Sequence, residues 1–290
     1  MYFIDLLLSG ITVGSLYALI AIGYTMVYGI LRLINFAHGD IFMMAGFFMV
    51  YISASMPMAV AIPVVLVMTV LLGVLIERAA YKPLRSAPRM SVMISAIGVS
   101  YLLENLATYI TGGLARPYPE IAFLKKTFTL GSMTVKTITI VTPVLTILLV
   151  VLLVLFINHT KVGMAMRAVS KDFQTARLMG IKVNNTITVT FVIGSALAGV
   201  GSILYFTNYG QVSPLIGAMP GLKAFVAAVF GGIGSIPGAL LGGLLLGIIE
   251  IFAKAYISTQ FSDAIVFGVL IIVLVVKPTG LLGKKVNEKV

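Results

Sequence analysis

The chain contains no cysteine and no tryptophan, and only 10% of its 290 residues are charged. Without cysteine there is no disulfide framework and no thiolate metal site, so zinc-thiolate and thiol chemistry are excluded. The chain also has 60% hydrophobic residues and a mean hydropathy of +1.11. With so few charged residues, it has too little polar surface to cover a water-soluble globular protein. The composition therefore predicts an integral membrane protein.

The N-terminal segment lacks the positive charge that a cleaved signal sequence needs. Residues 1–8 contain Asp5 and no Lys or Arg, and the apolar run that follows is too long for a signal core. We therefore expect the first helix to remain in the protein. The net charge of +11 does not predict a nucleic-acid partner, because the basic residues lie between apolar runs rather than on one polar face.

Long apolar segments are abundant. A spanning helix needs roughly 20 apolar residues, because the hydrocarbon core is about 30 Å thick and contains no water for backbone groups. The pattern predicts an all-α polytopic bundle with eight or nine crossings, in which the three shorter segments are half-helices, re-entrant segments or spans that extend into flanking residues. The apolar segments are 6–31, 41–52, 58–76, 91–111, 137–157, 186–206, 222–236, 237–257 and 264–276.

The basic residues predict which connections face the cytoplasm. Lys and Arg concentrate in loop 77–90, in loop 158–185 and in the C-terminal tail. Because basic loops are retained in the cytoplasm, these three are predicted to lie inside a bacterial or archaeal cell. Loop 112–136 carries four basic residues, yet its position between two strongly basic neighbours predicts that it lies outside. Three of the intervening connections contain no Lys or Arg: 53–57, 207–220 and 258–263.

Nothing in the sequence divides the chain into domains. No linker, low-complexity tract or long soluble stretch occurs, so residues 1–290 are predicted to be one transmembrane domain without a catalytic site, metal or cofactor. His38 and His159 are separated by several spans and cannot form a nucleophile–base or metal pair. No Walker-type phosphate-binding sequence occurs either. Any ATPase must then belong to another polypeptide.

Loop 158–185 contains a regular spacing of small residues. Four positions recur every four residues and would lie along one side of a helix: Ala168, Asp172, Ala176 and Gly180. Arg167 and other basic residues would surround that side, and Gly180 would end the helix. The small side chains would permit a partner to dock closely. Alternatively, the helix is a basic juxtamembrane element that contacts anionic lipid only.

Two polar or glycine-rich stretches interrupt the apolar segments. "RLINFAHGD" covers residues 32–40, and "AFVAAVFGGIGSIPGALLGG" covers residues 224–243. Charged groups at bilayer depth need a partner or water, so Arg32, His38 and Asp40 indicate a cavity or an interface. Such interrupted segments often line a transport route. The alternatives are a capped turn before the second helix and a close-packed interface of small residues.

Two further polar pairs lie inside predicted spans. Glu250 and Lys254 are four residues apart in the favourable order, which predicts an ion pair that lowers the cost of burying both. Glu104 and Asn105 are predicted to face a partner subunit or to border a cavity.

The sequence "RAVSKDFQTARLMGI" in loop 158–185 resembles the coupling segment of ABC importer permeases. Together with "INFAHGD" and "KPTGLLG", it makes the chain similar to the branched-chain amino acid permease family, in its high-affinity, H-subunit form. The resemblance covers nearly the whole chain. It favours the docking interpretation. It also implies that five residues of this loop couple the permease to its ATPase: Arg167, Ala168, Asp172, Ala176 and Gly180.

The resemblance implies an ATP-driven importer for branched-chain or related amino acids. The chain would form the pathway with a second homologous permease and would be moved by two nucleotide-binding subunits that consume the ATP. An extracytoplasmic binding protein would deliver the substrate and largely set its identity. The main alternative is a secondary transporter or channel for a small polar solute. An internal pseudo-repeat would make the two interrupted segments face each other and form the pathway: Asn35, His38, Gly39, Asp40, Gly231, Gly232 and Gly234.

Overall fold

The computed structural model describes residues 2–85, 87–130 and 133–283, and this part of the chain is mainly helical. The helices are α1 (Tyr2–Leu31), α2 (His38–Ser53), α3 (Met58–Ile76) with a π-helical turn at Glu77–Tyr81, α4 (Arg89–Thr111), α5 (Ala122–Lys125), α6 (Thr137–His159), α7 (Lys161–Lys171), α8 (Phe173–Leu178), α9 (Val183–Tyr209), α10 (Ala218–Gly231), α11 (Ile236–Tyr256) and α12 (Ser262–Val276). The strands are β1 (Arg116–Pro117), β2 (Thr127–Leu130), β3 (Met133–Lys136) and β4 (Gln211–Val212).

Nine of these helices carry the predicted apolar segments. In the described part of the chain, six are long and apolar enough to cross a membrane: α1, α3 with its π-turn, α4, α6, α9 and α11. Three are shorter, namely α2, α10 and α12. The prediction of an all-α polytopic bundle is therefore confirmed, and three of the predicted apolar segments are short helices in the structure.

The segment predicted at 222–236 ends earlier than expected. α10 stops at Gly231, and α11 begins at Ile236 after a turn. Gly232 and Gly234 have φ angles of 106° and 91°, a region that side-chain-bearing residues rarely adopt. Ser235 then caps α11 by accepting a hydrogen bond from the Gly238 amide at 3.2 Å. The apolar run is thus broken by backbone geometry rather than by charge.

Helix α1 lies at the centre of the bundle. All residues from 12 to 27 are buried, and α1 packs against α6, α9, α10 and α11. Its sequence is apolar on every side, as a helix surrounded by protein requires. The approach of α11 is closest because Gly14 and Gly247 lack side chains. A Cβ atom on Gly247 would overlap the Gly14 backbone, which is typical of small-residue packing in membranes.

The connections fall into two groups at opposite ends of the bundle. β1 pairs with β4, with Arg116 opposite Val212, so loops 112–136 and 207–220 lie at the same end. Loops 77–90 and 158–185 meet at the other end, where they line one cleft. The loops therefore group as their charge pattern and order predict, including the exceptional basic loop 112–136.

A buried ionic cluster joins four helices. Glu250 of α11 is 1% exposed and accepts a hydrogen bond from Lys254 at 2.5 Å, which confirms the predicted pair. Its carboxylate also accepts from Lys223 of α10 at 2.9 Å and from the Tyr17 hydroxyl of α1 at 2.7 Å. Lys223 also pairs with Asp263 of α12 at 2.7 Å. This cluster satisfies a charge that would otherwise be costly to bury.

The contact between α1 and α11 generates a stability prediction. Gly247→Ala should destabilise the protein by about 1 to 3 kcal/mol, because the methyl group meets the Gly14 backbone and forces the helices apart. The midpoint of thermal unfolding of the purified chain in detergent measures the effect. Gly98→Ala is the matched control, since a Cβ atom there meets nothing within 4 Å. Equal midpoints for the two variants would contradict the packing argument.

Candidate functional site

The polar stretch after α1 folds back into the bundle. Arg32 has a φ of 52°, a left-handed backbone uncommon outside glycine, and the irregular residues 33–37 then lead into α2. Asn35, His38 and Asp40 are 1%, 1% and 2% exposed. The burial of His38 and Asp40 agrees with the prediction of a cavity or an interface, whereas Arg32, the third residue of that prediction, is exposed and borders a cleft at the end of the bundle.

Helix α2 begins at depth, beside the buried part of α1. The His38 ring contacts Gly23 of α1, where the absence of a side chain makes room for it. The ring lies 4.8 Å from the Tyr24 ring, centroid to centroid. The residue that precedes α2, Ala37, provides no side-chain cap. These contacts argue against the alternative of a capped turn at the membrane surface.

The first turns of α2 and α10 lie side by side. A Cβ atom on Gly39 would lie 2.6 Å from the Gly217 carbonyl oxygen and 3.1 Å from the Gly221 Cα atom. Both short helices thus begin at the same depth with their positive dipole ends adjacent. The two halves of the chain do meet, as the pseudo-repeat predicts, but they meet at Gly217 and Gly221. Those glycines were missed, although their four-residue spacing at the start of an apolar segment is a small-residue signal.

A cavity of about 300 Å³ lies between α1, α2, α4 and α10. Asp40 borders it, and the Ser100 hydroxyl of α4 donates a hydrogen bond to the Asp40 Oδ2 atom at 2.5 Å. The Oδ1 atom of Asp40 is buried and has no hydrogen-bond partner among the described residues. Glu104, one helical turn beyond Ser100, borders the same cavity. The prediction that Glu104 borders a cavity therefore agrees with the structure.

Two predicted pathway residues lie behind the cavity wall. Asn35 accepts a hydrogen bond from the Tyr81 hydroxyl at 2.7 Å, and His38 packs between Gly23 and Tyr24. Neither borders the cavity, whereas Gly39 and Asp40 do. Asn35 and His38 therefore support the turn that carries Asp40.

The glycines at the end of α10 also lie away from the cavity. A Cβ atom on Gly231 would overlap the Gly238 carbonyl, and one on Gly232 would overlap Gly283 in the tail. The Leu282 amide donates a hydrogen bond to the Gly231 carbonyl at 2.8 Å. Gly231, Gly232 and Gly234 do not border this cavity, because α10 ends at Gly231 in the turn to α11, and their role in a pathway stays a prediction. Close packing explains Gly231 and Gly232, whereas the Cβ position of Gly234 is open and its φ of 91° explains the glycine there.

The prediction of a single helix in loop 158–185 is wrong. Asp172 has an extended backbone, with φ −156° and ψ 120°, and separates α7 from α8. Its carboxylate accepts from the Thr175 hydroxyl at 2.5 Å and from the Gln174 amide at 2.8 Å. These hydrogen bonds hold the pKa of Asp172 below its ordinary value. Aspartate at a helix N-cap is more favourable than aspartate in a helix interior, so the cap prevails over the spacing of four.

The predicted coupling residues consequently have different environments. Arg167 is exposed and Ala168 is partly buried on α7, while Ala176 of α8 is buried within the chain. Gly180 ends α8 as predicted, with a φ of 80°, and its Cβ position is open. Ala176 packs against its own chain, so it does not offer a surface to a partner.

The exposed face of α8 carries apolar side chains that were not predicted. Leu178 is 87% exposed, Met179 77% and Phe173 38%. We call these three residues the α8 apolar surface. The sequence pattern did not predict that these residues are exposed together, because their common exposure depends on the break in the helix at Asp172.

A basic cleft lies beside the α8 apolar surface. It has a volume of about 880 Å³ and is lined by residues from the end of α1, loop 77–90, α7 and α8. Its cationic side chains are Arg32, Lys82, Arg85, Arg89, Lys171 and Arg177. The two basic loops therefore form one continuous surface at this end of the bundle.

Comparison with known proteins agrees with this architecture. Residues 6–274 match the family described as branched-chain amino acid transport system / permease component. The high-affinity branched-chain amino acid transport system permease proteins LivH of Salmonella typhimurium and LivH of Escherichia coli K12 are each 42% identical to the chain, across all of it and 98% of the relative. BraD of Pseudomonas aeruginosa, which carries the same description, is 42% identical with the same coverage. The chain therefore belongs to the permease component family of branched-chain amino acid transport systems.

Proposed function

We propose that the chain is one of two permease subunits of an ATP-driven importer for branched-chain amino acids in the cytoplasmic membrane. A second, homologous permease completes the pathway, and two separate nucleotide-binding subunits supply the energy. An extracytoplasmic binding protein delivers the substrate at the end of the bundle that carries β1 and β4. The family membership supports the substrate class, since the relatives are named for branched-chain amino acids.

The observation that carries the proposal is the position of the cavity at the flank of the bundle. Tyr101 of α4 is 62% exposed and Leu222 of α10 is 45% exposed, although both border the cavity with Asp40 and Glu104. A cavity with two carboxylates cannot face lipid without a large cost. A second protein surface against α4 would cover it, and the covered cavity would then be part of a pathway between two permeases.

The α8 apolar surface supports coupling to a separate motor. Large apolar side chains exposed outside the membrane usually mark a protein contact. Here they lie beside a basic cleft, so a partner with an apolar groove and acidic rim would match both. This surface replaces Ala176 as the expected anchor of the nucleotide-binding subunit.

One observation favours the alternative of a secondary transporter. Asp40 and Glu104 belong to apolar helices, and none of the described residues that border the cavity is cationic. Carboxylates in such a position can couple transport to an ion. The two mechanisms differ in their energy source. An uptake measurement in which ATP and the ion gradients are varied separately therefore distinguishes them.

The proposed energy source is tested by uptake into proteoliposomes that contain the chain, the second permease and the nucleotide-binding subunits. With the binding protein outside and ATP on the α8 side, we expect leucine to accumulate. Collapse of proton and sodium gradients by ionophores should leave uptake unchanged, because ATP hydrolysis drives it. Uptake by the chain alone, or uptake that requires an ion gradient, would contradict the proposal and favour secondary transport.

The proposed docking surface is tested by Leu178→Asp. Loss of an apolar anchor at the centre of an interface costs about 2 kcal/mol, or roughly thirtyfold in affinity. We therefore expect the nucleotide-binding subunit to co-purify poorly with this variant. Leu114→Asp is the matched control, because Leu114 is 66% exposed at the opposite end. Full co-purification and ATPase stimulation with Leu178→Asp would reject this docking surface.

The proposed orientation is tested by single cysteines, which are the sole thiols in a chain that has no cysteine of its own. Lys171→Cys should react with a membrane-impermeant maleimide only after the cells are opened, because basic loops face the cytoplasm. Glu120→Cys should react in intact cells. Labelling of Lys171→Cys from outside would reverse the proposed topology.

A further inference from the structure

The charges in the cavity are unbalanced. Asp40 is 2% exposed, and Ser100 satisfies only one of its two carboxylate oxygens. Glu104 follows Ser100 by four residues on α4, so the two side chains share one helix face. In the part of the chain that the structure describes, no residue that borders the cavity is Lys, Arg or His. Among the described residues, the ion pairs involve neither Asp40 nor Glu104.

This arrangement is complementary to a small cation that can donate hydrogen bonds. Two carboxylates stabilise a positive group at bilayer depth much more than they would in water. Calcium needs six to eight oxygen ligands, whereas most of the cavity wall is aliphatic or aromatic. Tyr24 and Tyr101 also border the cavity, and aromatic rings attract organic ammonium groups. The wall thus fits an ammonium group better than a metal ion.

The rest of the cavity fits the remaining parts of an amino acid. The first turn of α10, at Gly217 and Ala218, borders the cavity and presents the positive end of a helix dipole to a carboxylate. Ile97, Leu222 and Phe225 form an apolar wall for an aliphatic side chain. A volume of about 300 Å³ is at the lower end of ligand sites and suits one such molecule with some water.

We propose that Asp40 and Glu104 bind the ammonium group of an α-amino acid as it passes through this cavity. The carboxylate then points to the start of α10, and the side chain lies on the apolar wall. The inference rests on the proposed function, because it describes how the pathway recognises its substrate. It adds a recognition site inside the membrane to the selection made by the separate binding protein.

Ligand binding to the assembled membrane complex, measured without the binding protein, tests the site directly. The probes are leucine, 3-methylbutylamine, which keeps the ammonium group, and 4-methylpentanoate, which keeps the carboxylate. Leucine and the amine should raise the thermal unfolding midpoint of the complex, and the acid should not. Stabilisation by the acid equal to that by the amine would overturn the proposal. This comparison decides the inference even if ATP-driven uptake is not observed.

Substitutions identify the residues. Glu104→Gln and Asp40→Asn should each lower leucine uptake and abolish stabilisation by the amine, with losses of about tenfold or more, because each removes a charged hydrogen bond. Glu104→Asp should recover part of both signals. Glu120→Gln is the matched control, since Glu120 is an exposed carboxylate paired with Lys125 at the opposite end from the basic cleft.

An error in the ammonium site and an error in the importer mechanism would give different experimental results. If the unmodified complex imports leucine with ATP and Glu104→Gln binds the amine and transports normally, the ammonium site is wrong and the importer stands. If no ATP-driven uptake occurs but the amine binds and Glu104→Gln abolishes that binding, the site stands and the importer mechanism is wrong. Should Asp40→Asn fail to assemble, Glu104→Gln decides, because Glu104 is only partly buried.

Discussion

The rest of the structure depends on the contact between Gly39 and the pair Gly217 and Gly221. A helix that begins inside a membrane leaves its first amides without partners, and such ends are tolerated only where protein or a water-filled cavity covers them. The three glycines bring two such ends together at backbone distance. A side chain at any of them would separate α2 from α10. The contact therefore fixes where the chain can have a polar cavity, and Asp40, the next residue after Gly39, is at its wall.

Helix α10 is held along its whole length, so it forms a rigid wall of that cavity. Its start contacts Gly39, and its middle is tied by Lys223 to Glu250 and Asp263. Its end accepts backbone hydrogen bonds from the tail, where the Leu281 amide donates to the Phe230 carbonyl at 2.9 Å. Movement of α10 alone would break a buried ionic cluster, which is costly because the remaining charges would be left unpaired.

The sequence predicted those features that depend on local composition. Hydropathy located the nine apolar helices, and the spacing of Glu250 and Lys254 predicted their pair. The burial of Asp40 also followed, because a charge inside an apolar run needs a cavity. Such predictions need no knowledge of which helices are neighbours.

The features that were missed depend on tertiary neighbours or on competition between local rules. Lys223 pairs with residues 27 and 40 positions away, so no short-range pattern reveals it. Gly217 and Gly221 gain meaning only when α10 is known to start beside α2. In loop 158–185 the spacing of small residues suggested one helix, but Asp172 caps α8, since an aspartate side chain competes for backbone amides.

The wall of the cavity that α4 forms has fewer contacts with the rest of the chain than the wall that α10 forms. Within this chain α4 buries only a narrow stripe, at Val92, Ala96, Leu103, Ala107 and Thr111, so few contacts with its own subunit hold it in place. It begins at Arg89, which lines the basic cleft together with Phe173 and Arg177 of α8. The start of α4 and the residues of α8 therefore face the same cleft.

A shift of α4 would act directly on the cavity. α4 carries Ser100 and Glu104, whereas Asp40 belongs to α2, which is fixed by its glycine contact. Movement of α4 would separate the two carboxylates and break the hydrogen bond between Ser100 and Asp40. Because the attraction of a cation falls with distance and rises as water is excluded, the site would then hold its ligand less firmly. In the proposed importer, such a movement of α4 would therefore favour release of the substrate from the cavity.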